Sequence, residues 1–223
     1  MISPPPASNG LTLSGINKSF GREHVLRDLQ LQLPVGALTL LLGQNGSGKS
    51  TMLRIAAGLS RPDGGTVSRG KHIAYVGHQS MLYGALTVRE NLELAARLLR
   101  CSPDINSYLE SWSIEGFQGK PVAELSKGQQ ARVAVARSLI HAPSLVLLDE
   151  PTAALDEAST CLLIEKLKGL SAAILVATHD VARLESHAKR AVILSGGSIA
   201  FDSERQESGG TKAVIQQYRE INR

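Results

Sequence analysis

One eight-residue stretch has the composition and spacing of a phosphate-binding loop. Residues 43–50 read GQNGSGKS and fit the pattern G-x-x-x-x-G-K-[ST] at every fixed position. Glycines let the backbone fold into a ring of N–H donors, while the lysine reaches the β- and γ-phosphates and the serine hydroxyl binds Mg²⁺. The alternative is a glycine-rich turn that holds Lys-Ser by chance, which is rare between an apolar strand and a helix. The loop therefore predicts nucleotide binding, but it does not say how the energy is used.

Two further apolar stretches end in polar side chains that could complete such a site. Asp149 and Glu150 follow residues 145–148, and His179 comes shortly after residues 172–177. Ligands of open parallel sheets bind beyond the carboxyl ends of the strands, so these groups are expected to meet the loop. Asp149 would hold Mg²⁺ directly or through water, Glu150 would be the general base, and His179 would donate to the γ-phosphate. A merely exposed carboxylate and a purely structural histidine are the alternatives, and the phosphate loop favours the catalytic roles.

The pattern of apolar residues indicates which elements must hold these groups. Leu29, Leu31 and Leu33 alternate with polar residues, as in a half-exposed strand. Residues 38–42 are nearly all apolar, as expected for a strand covered on both faces. Residues 80–140 form a mostly helical stretch between the first strands and the later ones. Strands that alternate with helices predict right-handed crossovers and a largely parallel sheet.

Element positions follow from the same periodicities and from glycine and proline turn signals. Predicted strands are residues 11–16, 29–33, 38–42, 66–76 (one or two strands), 145–148, 172–177, 191–194 and 198–201. Predicted helices outside the helical stretch are residues 51–59, 157–170 and 211–221, the last one mostly polar. Within the helical stretch, Thr87 to Glu90 and Ser126 to Gln129 have the spacing of capping boxes.

Composition and charge narrow the class of protein. The 223 residues are 43% hydrophobic, which is enough for a sizeable core in one large domain or in a core with a small insertion. A net charge of +4 permits contact with anionic surfaces but does not argue for nucleic acid, which is not expected as a partner. Cys101 and Cys161 form no C-x-x-C motif, which favours two buried thiols over a disulfide or a zinc site. No apolar run approaches the roughly 20 residues of a membrane span, and residues 1–10 resemble a disordered tail rather than a signal peptide.

Taken in order along the chain, these motifs resemble those of the ATP-binding-cassette ATPases, the nucleotide-binding subunits of ABC transporters. The resemblance covers residues 11–200. Residues 145–150 resemble the Walker B strand, residues 154–156 resemble the D-loop, and residues 125–129 (LSKGQ) resemble the family signature, usually LSGGQ. Lys127 replaces the first glycine of that signature, which leaves the backbone less free and adds a positive charge. The signature is the specific feature, because a phosphate loop alone does not separate a kinase from a GTPase.

The resemblance implies an α/β fold: a P-loop NTPase core with a largely parallel sheet, an antiparallel β subdomain and a helical subdomain inserted at about residues 80–140. A single ABC ATPase domain would then occupy residues 11–223, with ATP and Mg²⁺ as cofactors. Gln79 would be the Q-loop glutamine that touches Mg²⁺, and His179 the switch histidine. Phe20 would stack on adenine, with a core phenylalanine as the alternative. The expected catalytic residues are Glu150, His179 and Lys49; the metal ligands are Ser50, Gln79 and Asp149; the nucleotide-binding residues are Phe20, Gly43, Gln44, Asn45, Gly46, Ser47, Gly48, Lys49, Ser50, Thr51, Ser126, Gly128 and Gln129.

The resemblance also implies partners. Ser126 and the Gly128 N–H would lie at a helix N-terminus, a natural anion site, and would face the ATP bound to a second copy of the chain. Two copies would therefore sandwich two nucleotides, and ATP binding would close the dimer. Separate integral membrane subunits would dock near residues 80–89, which places the chain peripherally on the cytoplasmic face of the inner membrane.

Other functions remain open at the level of sequence. ABC proteins that act on ribosomes or in DNA repair usually carry two cassettes or a long coiled coil, and a small-molecule kinase has no use for the signature. For the cargo, residues 77–79 (GHQ) and residues 129–134 (QQARVA) resemble the haem-exporter ATPase of cytochrome c maturation, and so does the short tail after the last hairpin. Importers and exporters of other cargoes share most of these cues.

Overall fold

The structure, a computed structural model, describes residues 10–77, 80–205 and 210–221. Predictions for Gln79 and for residues 1–9 concern positions outside the described residues. The strands are β1 (Leu11–Phe20), β2 (Glu23–Leu33), β3 (Leu38–Leu42), β4 (Gly64–Arg69), β5 (Ile73–Val76), β6 (Leu145–Asp149), β7 (Ala173–Ala177), β8 (Arg190–Ser195) and β9 (Ser198–Asp202). The helices are α1 (Lys49–Ala57), α2 (Val88–Leu98), α3 (Ile105–Ser111), α4 (Lys127–Leu139), α5 (Glu157–Lys168) and α6 (Gly210–Ile221).

A six-stranded sheet forms the centre of the molecule, in the order β5-β6-β7-β3-β8-β9. Strands β5, β6, β7, β3 and β8 pair in parallel, and β9 pairs antiparallel to β8. Every residue of β3, β6 and β7 is buried, as expected for strands covered on both faces. The largely parallel sheet predicted from sequence is confirmed.

Alternate side chains of the central strands belong to two different cores. In β3, Leu40 and Leu42 join the core that contains residues of α2, α4, α5 and α6, whereas Leu41 joins the core that contains α1. The second core also takes residues from a three-stranded antiparallel sheet of order β2-β1-β4. The central sheet is therefore packed between a helical layer and a layer made of one helix and a second sheet, and the predicted antiparallel β part is confirmed.

The chain between β5 and β6 is helical, as the sequence predicts. Its described residues form α2, α3, α4 and two single 3₁₀ turns, Glu115–Phe117 and Val122–Glu124. Both predicted capping boxes form, one from Thr87 and Glu90 at the start of α2, the other from Ser126 and Gln129 at the start of α4. These reciprocal bonds satisfy N–H groups that a helix cannot satisfy by itself, so they set where α2 and α4 begin.

Several details differ from the sequence-based expectations. Strand β1 extends to Phe20 because residues beyond 16 keep pairing with β2. Helix α1 begins at Lys49, inside the phosphate motif, and the mostly polar α6 buries Val214, Ile215 and Tyr218. Cys161 is exposed and Cys101 is half-buried, so the expectation of two buried thiols is wrong. Among the described residues, none of the helices has the length and apolar composition needed to cross a membrane.

Candidate nucleotide site

The phosphate motif forms the connection between β3 and α1. A Cβ at Gly43 would lie 2.5 Å from the carbonyl oxygen of Leu194, so the neighbouring strand leaves room only for glycine. Gly48 adopts a left-handed φ of 104° just before the helix, a conformation that side chains disfavour. In the described part of the chain, no side chain caps the start of α1. Its first N–H groups and the positive end of its dipole are thus available to an anion.

Lys49, the first residue of α1, folds back under the loop. Its Nζ donates hydrogen bonds to the carbonyl oxygens of Gly43, at 2.6 Å, and Gln44, at 3.0 Å. The residue is only 9% exposed, and this burial lowers the pKa of its ammonium group, while the negative charges of Glu150 and Asp149 act in the opposite direction. The lysine charge is therefore held between the loop and the two carboxylates.

Asp149 and Glu150 stand at the carboxyl end of β6, but their backbones differ. Asp149 is the last strand residue and is buried, whereas Glu150 has a left-handed φ of 54°. That conformation is unfavourable for a residue with a side chain, by about 1–3 kcal/mol, and such strain is characteristic of functional sites. The Glu150 N–H donates to the Ala177 carbonyl oxygen at 2.9 Å, which anchors the turn to the end of β7.

His179 lies beside Glu150. Its Nδ1 is 2.9 Å from Glu150 Oε2, and its backbone N–H donates to the same oxygen at 3.3 Å. The two residues meet because β6 and β7 are neighbours, with Asp149 in register with Ala177. The His179 side chain is 67% exposed, so its other face is open to solvent. The sequence predicts a contact of His179 with phosphate, and the structure shows its contact with the carboxylate.

These groups line one cavity of about 800 Å³, within the usual size range of small-molecule sites. Its lining contains the predicted residues Phe20, Gly43, Gln44, Asn45, Gly46, Ser47, Gly48, Lys49, Ser50, Thr51, Asp149, Glu150 and His179. Val25 and Tyr218 also line the cavity and were not predicted. Val25 lies on the strand that passes over the loop, and Tyr218 lies on α6. No local sequence pattern marks either one, because packing of distant elements brings them here.

Phe20 stands at the rim of this cavity, at the end of β1. The side chain is 57% exposed, so the alternative of a core phenylalanine is wrong. Lys18 Nζ lies 5.4 Å from the ring centroid and 2.8 Å from the Asp63 carboxylate, which holds the lysine in place. An exposed aromatic ring beside a nucleotide-sized cavity is available for stacking on a base.

The signature lies elsewhere in the chain. Ser126 Oγ accepts from the Gln129 N–H at 3.2 Å, and Gln129 Oε1 accepts from the Ser126 N–H at 3.0 Å. Neither of them, nor Gly128, is among the described residues that line the 800 Å³ cavity. Lys127 instead lines a separate cavity of about 420 Å³ whose lining also includes Asp149 and Glu150. Within one chain, the structure does not bring the signature to the phosphate loop.

Comparison with known proteins places the chain among the ABC transporters. The family model described as "ABC transporter" matches residues 26–153, a span that contains the phosphate loop, the signature and the Asp149–Glu150 strand end. The chain belongs to the ABC transporter family. It has the ATP-binding domain of that family, and ATP hydrolysis is the chemistry that family membership supports.

Curated relatives include both an import and an export protein. The aliphatic sulfonates import ATP-binding protein SsuB of Rhodopseudomonas palustris is 34% identical over 215 residues, covering 89% of this chain and 75% of that protein. The cytochrome c biogenesis ATP-binding export protein CcmA of Gluconobacter oxydans is 39% identical over 171 residues, covering 77% and 78%. This chain is an ABC transporter ATP-binding subunit, and the direction of transport differs between its relatives.

Solved structures show the same fold. An ATP-binding subunit of an ABC transporter superposes with a TM-score of 0.83 at 26% identity, covering 94% of this chain and 93% of the other. A dimeric ATP-binding cassette, MJ0796, in a post-hydrolysis state bound to ADP and Pi, gives a TM-score of 0.75 at 28% identity, covering 86% and 97%. The ABC ATPase fold predicted from sequence is confirmed.

Proposed function

We propose that this chain hydrolyses ATP in the 800 Å³ cavity and thereby powers an ABC transporter. The observation that carries the proposal is that the ends of β3, β6 and β7 bring the loop, Glu150 and His179 into one cavity. The loop N–H groups and Lys49 bind the phosphates, and Phe20 stacks on the adenine. Glu150 is the general base that takes the proton of the attacking water, and His179 stabilises charge at the γ-phosphate.

Mg²⁺ fits the same cavity. Ser50 and Asp149 both line it, and hydroxyl and carboxylate oxygens are the hard donors that this ion prefers. One or two protein ligands together with phosphate oxygens are its usual coordination in nucleotide sites, and Gln79 is proposed as a further ligand. When bound, the ion supplies neutralisation of the charge on the phosphates.

Glu150→Gln tests the assignment of the base. We expect turnover to fall by about 10²- to 10⁴-fold, because a glutamine cannot take the proton, while ATP affinity is retained. Phosphate release and equilibrium binding of a fluorescent ATP analogue measure the two effects. Glu110→Gln, the same change at an exposed position of α3, is the control and should match wild type. Wild-type turnover by Glu150→Gln would remove Glu150 from the mechanism.

We propose further that the working unit is a dimer of two copies that share their nucleotides. The solved dimer of MJ0796 supports this arrangement, and so does the position of the signature outside the cavity of its own chain. Ser126 Oγ accepts from Gln129 but keeps its own proton, so it can still donate to a phosphate at the N-terminus of α4. The slow Glu150→Gln variant should therefore sediment as a dimer with ATP and as a monomer with ADP.

Membrane subunits are the proposed partners, with the chain held peripherally on the cytoplasmic face of the inner membrane. The helical subdomain, residues 80–140 of a single domain spanning 11–223, presents exposed Met81 and Tyr83 within the predicted docking segment, residues 80–89. Arg137 contacts both residues of this surface. It donates a hydrogen bond to the Met81 carbonyl oxygen, and its guanidinium carbon lies 5.6 Å from the Tyr83 ring centroid. Exposed apolar groups of this kind favour a protein contact.

Tyr83→Asp tests that surface. We expect the variant to keep the ATP affinity of the purified chain but to lose co-fractionation with membranes that contain its partner. Glu110→Gln, at an exposed position of α3, is again the control. If the wild-type chain pelleted with ribosomes and not with membranes, a soluble role would replace the transport role.

For the cargo, we propose export of haem for cytochrome c maturation, on the support of the likeness to the Gluconobacter export protein and the sequence cues around the signature. Import of a small anion is the competing proposal, supported by the likeness to the sulfonate import protein. Deletion of the gene separates the two. Loss of c-type cytochromes with normal growth on aliphatic sulfonates would support haem export, and the reverse pattern would support import.

A further inference from the structure

The last helix of the chain is fixed against the nucleotide cavity. Helix α6 buries Val214 and Ile215 in the core on the helical side of the central sheet. Near its start, the Thr211 hydroxyl donates to the Lys189 carbonyl oxygen at 2.9 Å, and near its end Arg219 lies 2.7 Å from the Glu185 carboxylate. Contacts at both ends and in the middle hold α6 in one position relative to the strands.

Tyr218, on α6, reaches the site from this helix. The residue is 8% exposed, and its side chain lines the nucleotide cavity together with the phosphate loop, Glu150 and His179. It also lines an adjoining cavity of about 450 Å³ whose other walls are the start of β2, the β8–β9 turn and the same loop. Tyr218 is therefore part of the wall of both cavities, and one of them also contains Glu150 and His179.

The phenol of Tyr218 is suited to remain a neutral hydrogen-bonding group. Burial raises the pKa of this phenol, and the negative charge of Glu150 raises it further. Both effects favour the protonated hydroxyl, and the second shows that it lies within electrostatic reach of the carboxylate. A neutral hydroxyl can donate a proton in a hydrogen bond, which a phenolate could not do next to an anion.

Glu150 has a particular need for such a neighbour. Its backbone is in a left-handed conformation, and its Oε2 contacts the His179 side chain, most of which is exposed. An exposed histidine restrains a carboxylate weakly, because its own rotamers remain accessible. A buried phenol on a fixed helix is a more rigid neighbour.

We propose that Tyr218 is a positioning residue of the ATPase site, whose hydroxyl acts through Glu150 to keep the carboxylate oriented for activating water. The inference rests on the proposed role of Glu150 as the base. If this inference holds, hydrolysis depends on a residue of α6, about 40 residues after His179 in the chain. Tyr218 lies outside every motif that the sequence shows.

Tyr218→Phe is the decisive variant, because it removes the hydroxyl and keeps the ring. We expect kcat to fall roughly 3- to 10-fold, the size of effect of one hydrogen-bonding group, with KM for ATP and the affinity for an ATP analogue within about twofold of wild type. Tyr108→Phe is the matched control. Tyr108 is half-buried, and its hydroxyl donates to the Ala136 carbonyl oxygen at 2.6 Å. Tyr108 is not among the described residues that line the cavity, so loss of its hydroxyl should lower thermal stability and leave kcat unchanged.

A double-mutant cycle separates positioning from general structural support. If Tyr218 acts through Glu150, adding Tyr218→Phe to Glu150→Gln should not slow the residual single-turnover rate further. An unchanged kcat in Tyr218→Phe would overturn the inference, and so would an equal loss in the Glu150→Gln background. Wild-type turnover by Glu150→Gln would overturn the base assignment itself, whereas slow turnover there with a fully active Tyr218→Phe would overturn the positioning role alone.

Discussion

The chain contains two helix N-termini that carry family motifs, and they are built in opposite ways. Helix α1 follows the phosphate loop, and in the described residues its N-terminus receives no side-chain cap. Helix α4 follows Ser126, and the reciprocal Ser126–Gln129 bonds close its N-terminus. The first faces a cavity together with two carboxylates of its own chain, and the second lines no part of that cavity.

The difference teaches how one physical device serves two purposes. An uncapped N-terminus leaves N–H donors without an intrahelical partner, so the start of α1 is available to an anion, and phosphate binding there is the prediction. The capped N-terminus of α4 is stable without a ligand. It therefore needs no nucleotide in the single chain and can contact one that is bound to a second copy. We therefore expect changes at α1 to act on ATP affinity, and changes at α4 to act on stability and on the dimer.

Lys49→Ala should have the largest effect on the affinity for ATP. It removes the ammonium group that lies under the loop and near both carboxylates. Loss of a charged hydrogen bond of about 1.5–3 kcal/mol corresponds to a roughly 10- to 150-fold weaker affinity for ATP. Equilibrium binding of a fluorescent ATP analogue measures it, with Lys166→Ala on α5 as the control. An unchanged affinity would show that the loop binds phosphate without its lysine.

A pair of glycine substitutions, one before α1 and one in α4, should give the next largest difference in ATP affinity. Gly48→Ala forces a side chain into a left-handed backbone, with its Cβ 2.9 Å from Leu26, and should weaken ATP binding by an amount equivalent to about 1–3 kcal/mol. In Gly128→Ala, the new Cβ would lie 3.1 Å from the Ala154 carbonyl oxygen, but the backbone at this position is helical and accepts a side chain. This variant should leave the ATP affinity of the monomer unchanged. Equal losses of affinity in the two variants would contradict the separation of the two N-termini.

Ser126→Ala should have the smallest effect on a single copy. Loss of the cap should lower the free energy of unfolding by about 1 kcal/mol, or roughly 2–4 °C in Tm, without weakening ATP binding by the monomer. Thr87→Ala removes the equivalent cap of α2 and is the matched control. Both variants should lose similar stability by thermal unfolding. Lower ATP turnover at dimer-forming concentrations should appear in Ser126→Ala alone, and its absence would argue against a nucleotide role for the signature.

Features that depend on a few consecutive residues were predictable. The phosphate loop, the two capping boxes and the buried strands β3, β6 and β7 follow from short patterns, because glycine freedom, cap hydrogen bonds and burial on both faces act locally. Asp149, Glu150 and His179 were predicted at the strand ends, since parallel strands place their carboxyl ends at one edge. Their proposed roles still depend on the experiments described above.

Other features depended on distant packing. The sequence left Phe20 open between stacking on adenine and a place in the core. The β1–β2 pairing extends to this residue, and its side chain is exposed, which excludes the core. The polar pattern of α6 gave no sign that Tyr218 would reach the cavity. Its position depends on which face of α6 meets β8, and that choice is made by the whole core.

By itself, the sequence predicted nucleotide binding through a glycine loop followed by a helix, because those properties belong to the backbone of adjacent residues. Tertiary structure alone decided which groups share the cavity: the 2.9 Å contact of Glu150 with His179, the ring of Phe20 at the rim, Tyr218 in the wall, and the signature outside it. The physical reason is that the hydrogen bonds of a loop or a helix cap involve neighbouring residues in the sequence. The distance between side chains from different elements depends instead on how strands and helices far apart in sequence bury their apolar faces.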